Sequence, residues 1–177
     1  MWAREPGFPT LVRIILEQQV SLASARAAFE RLLAAAGPPL TPQKFLALDD
    51  DALRAAGFSR QKTAYGRELA AALTSGRLDL ARVARLGDEE ARAELTRVKG
   101  VGRWTADIYL LMALGRPDVW PSGDLALAVA AERVKRLPSR PNFVELESLG
   151  DAWRPWRAVA ARILWHQYLS ERGRPAS

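Results

Sequence analysis

The segment LTRVKGVGRWTA, Leu95 to Ala106, sets two glycines on either side of one apolar residue, between two stretches with helical spacing. Reversing a chain within so few residues needs backbone conformations that glycine adopts freely and other residues resist. Leu95 and Val98 fall on the first helix, a second helix starts around Arg103, and Val101 between the glycines is placed to point inward and pin the two together. Such a turn also brings backbone N–H groups to the surface at a helix N-terminus, where they suit a phosphate oxygen. Lys99, Gly100, Val101, Gly102, Arg103 and Thr105 are the residues expected to meet a nucleic-acid backbone there. Charge from Arg97, Lys99 and Arg103 would strengthen that contact without reading base sequence. The bland alternative is an ordinary interhelical turn with solvated charges.

The rest of the chain reads as helix after helix, with no strand alternation. Leu11, Ile14 and Ile15 share a helical face that Gln18 continues, and Ser21 is placed to cap a second helix that buries Leu22, Ala25, Phe29, Leu32 and Leu33. Further helices are expected after Thr41, over 49–56, 59–74, 78–86, 88–98, 101–114, 125–136, 143–153 and 155–172, with Gly57 and Gly76 as stops. The expectation is therefore an all-α protein. Its 177 residues, 49% hydrophobic, suffice for one unit over 1–177 folded as two lobes with a cleft between them. One lobe spans about 22–115, including the hairpin at 95–106. The other combines about 1–21 with 116–177.

Formal net charge is +6, which suits a polyanionic partner such as nucleic acid or an anionic membrane surface. Four basic residues are lysine, at 44, 62, 99 and 135, and 22 are arginine. That bias fits phosphate binding and equally fits a GC-rich genome. No cysteine is present, which excludes disulfides, cysteine-bound zinc and iron–sulfur clusters. No apolar run approaches the ~18 residues of a membrane span, and the start MWAREPGFPT lacks the order of a secretion signal. A cytoplasmic, nucleoid-associated monomer with no membrane partner is expected.

Leu95-x-x-Val98-x-Gly-Val-Gly-x-x-Thr105-Ala106 resembles the helix-hairpin-helix motif of DNA-binding proteins. Its continuation through Pro121 and Asp124-Leu125 resembles the longer glycine-proline-aspartate signature of the base-excision DNA glycosylase superfamily. LVRIILEQQVSLASARAAFERL and WRPWRAVAARILWHQYL are similar to the early helical hairpin and the C-terminal region of the 3-methyladenine DNA glycosylase II branch. The resemblance covers most of the chain. It implies a DNA glycosylase fold without the β-rich N-terminal domain that some relatives carry, and double-stranded DNA with a damaged base as partner.

The resemblance places Asp124 at the catalytic aspartate. Breaking the bond between base and sugar makes the sugar cationic, so a nearby carboxylate lowers the barrier and can orient water. Asp124 also reads as a helix N-cap, a compatible role. Relatives that cut the strand carry a nucleophilic lysine before Thr-Ala, where this chain has Trp104. The resemblance thus implies a monofunctional enzyme, without lyase activity, that needs no cofactor. The hairpin carbonyls offer a place for a structural monovalent cation, and no catalytic metal is expected.

By the same resemblance Trp104 and Trp165 line the base pocket, where indole faces attract a cationic alkylated base. Ordinary core packing is the other reading. Ile108 stands where the branch often has tyrosine, which alters the pocket's shape. Gln18 and Gln19 fall at the turn that supplies the wedge filling the gap left by an extruded base. Trp120, Trp153 and Trp156 are assigned to packing, His166 to a structural hydrogen bond, and Arg154 and Arg157 to solvated helix charge or DNA phosphate. Two other functions fit the same residues: a non-catalytic DNA-binding module, and a glycosylase for oxidised, deaminated or mismatched bases. The pairing of Asp124 with the tryptophans separates the first from an enzyme, and the aromatic lining argues against the second.

Overall fold

A short polar side chain stops and restarts the backbone at almost every corner of this chain. Ser21, Thr41, Asp49, Ser59, Asp79, Asp124 and Asn142 each accept a hydrogen bond from a backbone N–H in the first turn of the helix that follows. That satisfies a donor with no partner inside the helix. The computed structural model describes residues 3–172. It contains α1 (Phe8–Glu17), α2 (Leu22–Ala36), α3 (Pro42–Ala47), α4 (Asp50–Ala55), α5 (Arg60–Thr74), α6 (Leu80–Arg85), α7 (Asp88–Thr96), α8 (Arg103–Met112), α9 (Leu125–Lys135), α10 (Phe143–Asp151) and α11 (Arg157–Arg172), and no strand among the described residues.

Helix α1 is the spine of the larger body. Leu11, Val12, Ile14, Ile15 and Leu16 are buried, and the helix packs against α2, α5 and α8. At its start the Gly7 N–H donates to the Tyr109 hydroxyl at 3.0 Å, and Arg4 N–H donates to the Met112 carbonyl at 2.9 Å. Grouping residues 1–21 with the second lobe is therefore corrected: α1 belongs to the body formed by α2–α8. Its apolar surface is too wide for a lobe edge. Helix α8 shares this setting and is buried from Thr105 through Met112.

The second lobe is built from α9, α10 and α11, with α9 packed along α11. Its anchor is Trp120, 2% exposed, whose ring lies 5.3 Å from that of Trp153 and whose indole N–H donates to the Leu146 carbonyl at 2.8 Å. Trp156, in contrast, is 62% exposed, so its assignment to packing is corrected: it precedes α11 on a face that nothing covers among the described residues. Arg157 is buried, with Nε donating to Asp118 Oδ1 at 2.8 Å and Nη2 to the Asp118 carbonyl at 2.6 Å. Arg154 donates to Asp118 Oδ2 and Asp151 Oδ1, each at 3.0 Å. Both arginines tie the start of α11 to the segment leading into Trp120. Arg162 crosses back to the larger body, donating to the Leu111 carbonyl at 3.0 Å.

Burial alone would raise the Asp118 carboxyl, but hydrogen bonds and charge from Arg157, backed by Arg154, outweigh it and hold the group below its ordinary value. A carboxylate held low in the folded state contributes stability that is complete above its unfolded value near pH ~4, and loses it as pH falls through the folded value. Asp118→Asn is accordingly expected to unfold at lower urea than the parent at neutral pH, with the difference narrowing below about pH 4. A difference of constant size across that range would contradict this pairing.

Candidate active site

Three aspartates lie along the chain from the hairpin to the start of α9, and their partners separate them. Asp107 is 1% exposed and accepts from Arg92 Nε at 2.6 Å, so its charge is spent tying α7 to α8. Asp118 is held by Arg157 and Arg154. Asp124 has no cationic partner among the described residues and is only half-buried. Its carboxylate is held by neutral donors: Trp104 Nε1 reaches Oδ2 at 2.8 Å, Trp165 Nε1 reaches Oδ1 at 3.1 Å, and Leu127 N–H reaches Oδ1 at 2.8 Å.

Each of those contacts comes from a different helix. Trp104 lies in the first turn of α8, Trp165 in the middle of α11, and Leu127 in the first turn of α9, which Asp124 itself caps. Asp124 N–H also donates to the Pro121 carbonyl at 2.9 Å, fixing the turn before the helix. The result is a negative charge at a helix N-terminus, a favourable place for it, stabilised without a counter-ion. A cation developing nearby would feel that charge uncancelled.

The two tryptophans expected to line a base pocket thus meet at the aspartate through their indole edges. Trp104 is half-buried and packs partly against the core, whereas Trp165 is 6% exposed. Ile108 is 2% exposed and sits in the core of α8, so the open side of the site does not include it. Surface concavities of about 380 Å³, around Arg4, Arg13, Glu17 and Arg26, and about 500 Å³, around Leu137, Pro141, Val144 and Leu149, are not lined by Asp124. The setting of its carboxylate, not the size of a cavity, marks the site. His166 is exposed. No cluster of three or more His, Cys, Asp or Glu side chains suited to a metal occurs among the described residues.

The hairpin immediately precedes Trp104. Val101 is 2% exposed and points inward, as its spacing implies. Gly100 has φ +97°, and a Cβ there would lie 2.2 Å from Tyr65 Cγ, so both its backbone and its neighbour demand glycine. Gly102 differs. It caps α8 with ordinary extended geometry, is exposed, and has nothing within 4 Å of where a Cβ would stand, so nothing inside the chain requires it to be glycine. Lys99 and Arg103 are also exposed, with Arg103 Nη2 3.6 Å from Glu147 and its guanidinium 5.7 Å from the Phe143 ring centroid. Thr105 is buried and supports the turn from inside.

That support comes from a residue given a different role by the sequence. Gln18 Nε2 donates to the Gly100 carbonyl and to Thr105 Oγ1, each at 3.0 Å. Its amide braces the hairpin and is not free to enter DNA, which corrects its assignment as a wedge. Gln19 beside it is exposed, as are Val20 and Ser21, and lies in the left-handed region at φ 57°. Tyr65, from α5, has no sequence signal linking it to the hairpin 35 positions later; only the folded chain brings its ring beneath Gly100.

A helical hairpin with Gly102 exposed at the start of its second helix, and an aspartate that caps a later helix and is hydrogen-bonded to that second helix, is the frame in which the chain resembles known DNA repair proteins. The family model of the HhH-GPD superfamily base excision DNA repair proteins matches residues 12–155, and the chain belongs to that superfamily. It is 33% identical over 168 residues to DNA-3-methyladenine glycosylase 1 of Schizosaccharomyces pombe, covering 93% of this chain and 73% of that protein. To DNA-3-methyladenine glycosylase 2 of Escherichia coli it is 30% identical over 178 residues, covering 92% of this chain and 60% of the relative. The structure of the S. pombe 3-methyladenine DNA glycosylase in complex with abasic DNA superposes with a TM-score of 0.84 at 32% identity, over 89% of this chain and 78% of that one. A DNA-3-methyladenine glycosidase from Bacillus halodurans gives 0.81 at 32% identity, over 97% and 81%.

The two hairpin glycines should separate in a stability measurement. Gly100→Ala is expected to cost about 2 kcal/mol or more from left-handed strain and overpacking, while Gly102→Ala stays within about 1 kcal/mol of the parent, the scale of an N-cap change. Equal denaturation midpoints for the two variants would contradict the Tyr65 contact.

Proposed function

We propose that this protein is a monofunctional DNA glycosylase that removes alkylated purines, of the 3-methyladenine and 7-methylguanine type, from double-stranded DNA in base excision repair. The observation that carries the reading is Asp124: a half-buried carboxylate with no cationic partner among the described residues, hydrogen-bonded by Trp104 of the first helical turn after the hairpin. The names of the relatives supply the substrate class.

In this reading the backbone N–H groups at the start of α8 hold a phosphate of the damaged strand, and the target nucleotide leaves the stack. Gln19 enters the space it vacates. The bond between the sugar carbon and the base nitrogen then breaks, and its electron pair leaves with the base. Alkylation makes this easier, because a cationic purine departs as a neutral molecule. The sugar takes up positive charge as the bond lengthens, and the Asp124 carboxylate stabilises it. Water adds to the sugar carbon and loses its proton, leaving an abasic site. Position 104 lies within hydrogen-bonding distance of the carboxylate, yet an indole is no nucleophile, so water and not an amine completes the reaction.

In this reading the half-buried Trp104 ring meets the extruded base, where a cationic purine is favoured by about 1–2 kcal/mol over a neutral one. A monovalent cation at the hairpin would rest on the turn's carbonyl oxygens, each of which has a second lone pair beyond the hydrogen bonds that Val98 and Gly100 already accept. It would add positive charge beside the phosphate.

Two measurements test the reading. On duplexes containing 3-methyladenine or 7-methylguanine, the parent protein should release free base and leave alkali-labile sites. Asp124→Asn should slow single-turnover release by about 10²–10³-fold, the scale of losing a preorganised electrostatic group. Base release at equal rates would remove Asp124 from the mechanism, and borohydride trapping of a protein–DNA adduct would overturn the monofunctional assignment. For binding, Gly102→Ala should weaken affinity for damaged and undamaged duplexes alike, and affinity of the parent should fall steeply with salt. A salt-insensitive affinity would count against a phosphate grip.

A further inference from the structure

The indole edges at Asp124 bear on the roles of the two tryptophans. A carboxylate offers about four lone-pair directions. Here three are taken: two on Oδ1, by Trp165 Nε1 and Leu127 N–H, and one on Oδ2, by Trp104 Nε1. One acceptor direction remains, on Oδ2, of a residue that is half-buried and so keeps some contact with solvent. Indole N–H is a donor only, so neither tryptophan can take a proton from the site or give one up during turnover.

Resting on the function proposed above, we infer that Trp104 and Trp165 are positioning residues, which aim the one free lone pair of Asp124 at the sugar and hold its charge with neutral donors in place of a cation. This role is separate from what their ring faces do to a base. Trp165 shows it in the purer form. At 6% exposure its ring is almost wholly covered, so its N–H is its contribution to the open site. Trp104 combines the two roles, with its edge on Oδ2 and a half-buried ring.

A cationic donor would hold the carboxylate as firmly but would cancel the charge that the reaction uses. The chain shows that alternative at Asp107, paired with Arg92, and at Asp118, paired with Arg157, each pair tying one segment of the fold to another. Neutral donors give orientation while leaving the field intact. They also come from two different lobes, because Trp104 belongs to α8 and Trp165 to α11. A shift of either lobe would move the carboxylate away from its aim.

The test replaces one atom. Trp104 and Trp165 are exchanged, one at a time, for 3-benzothienylalanine, which keeps the bicyclic ring and substitutes sulfur for N–H. Each protein is then assayed for affinity to two duplexes, one with a cationic pyrrolidine in place of the target sugar and one with neutral tetrahydrofuran. The ratio of the two affinities reports how well the Asp124 charge meets a cationic ring, and it requires no base to be present and no turnover. Each replacement should lower the ratio on the order of tenfold, the scale of one hydrogen bond to a charged group, while tetrahydrofuran affinity and thermal stability stay near the parent's. In an Asp124→Asn background the ratio should be low already and insensitive to either replacement. An unchanged ratio in the Asp124 protein would overturn the inference, as would a loss of equal size in the Asp124→Asn background. Failure of the parent to release alkylated bases would instead overturn the proposed substrate and leave this ratio as an independent reading of the charge.

Discussion

A single carboxylate, held by three N–H groups and by no cation among the described residues, is the point on which this molecule turns. Charge that a protein buries or half-buries is usually paired, and the chain follows that rule elsewhere: Asp107 with Arg92, Asp118 with Arg157, Glu17 with Arg4. At Asp124 it does not. The helix dipole of α9 and the polar edges of two indoles take the place of a counter-ion, so the charge stays available to whatever enters from the open side. Tryptophan is well suited to this. It supplies one fixed donor on a rigid apolar body, filling the contact between lobes while pointing a single N–H at the site.

The second constraint is mechanical. Helix α1 runs through the larger body with an almost wholly buried face, and at its end Gln18 braces the Gly100 carbonyl and Thr105. Gln19 follows at once in the left-handed region, exposed. The residue that would enter DNA and the turn that would hold its phosphate are therefore fixed to one another by a single side chain. Tyr65 fills the space beneath Gly100, and the absence of a Cβ there is what lets the turn settle onto it. From the turn, Trp104 leads directly to Asp124. The turn, the exposed Gln19 beside it and the Asp124 carboxylate thus form one connected frame.

Much of this is legible in the sequence, for reasons that can be named. The helices follow from spacing and caps: Ser21 and Asp124 cap where their side chains suit the role. Val101 between two glycines has to turn inward, and it does. Asp124 stands out once the hairpin pattern is recognised. Contacts between distant segments are not legible. Nothing in the order of residues says that α1 joins α5 and α8, that Tyr65 meets Gly100, or that Gln18 turns toward the hairpin and Gln19 away from it. Side-chain direction is equally hidden. Two tryptophans at a site can present faces or edges, and only the folded arrangement shows that their edges meet one carboxylate. Trp156 reads as core on its residue type alone, and its exposure follows from a place at the start of α11 that has no neighbour to cover it among the described residues.

The most direct test of the central claim is a crystal structure of the protein bound to a duplex in which the target sugar is replaced by a cationic pyrrolidine. The pyrrolidine nitrogen should lie within hydrogen-bonding distance of Asp124 Oδ2, with both indole N–H groups still on the carboxylate and a neighbouring phosphate on the amides at the start of α8. A carboxylate rotated away from the ring, or paired with an arginine in the complex, would contradict the account.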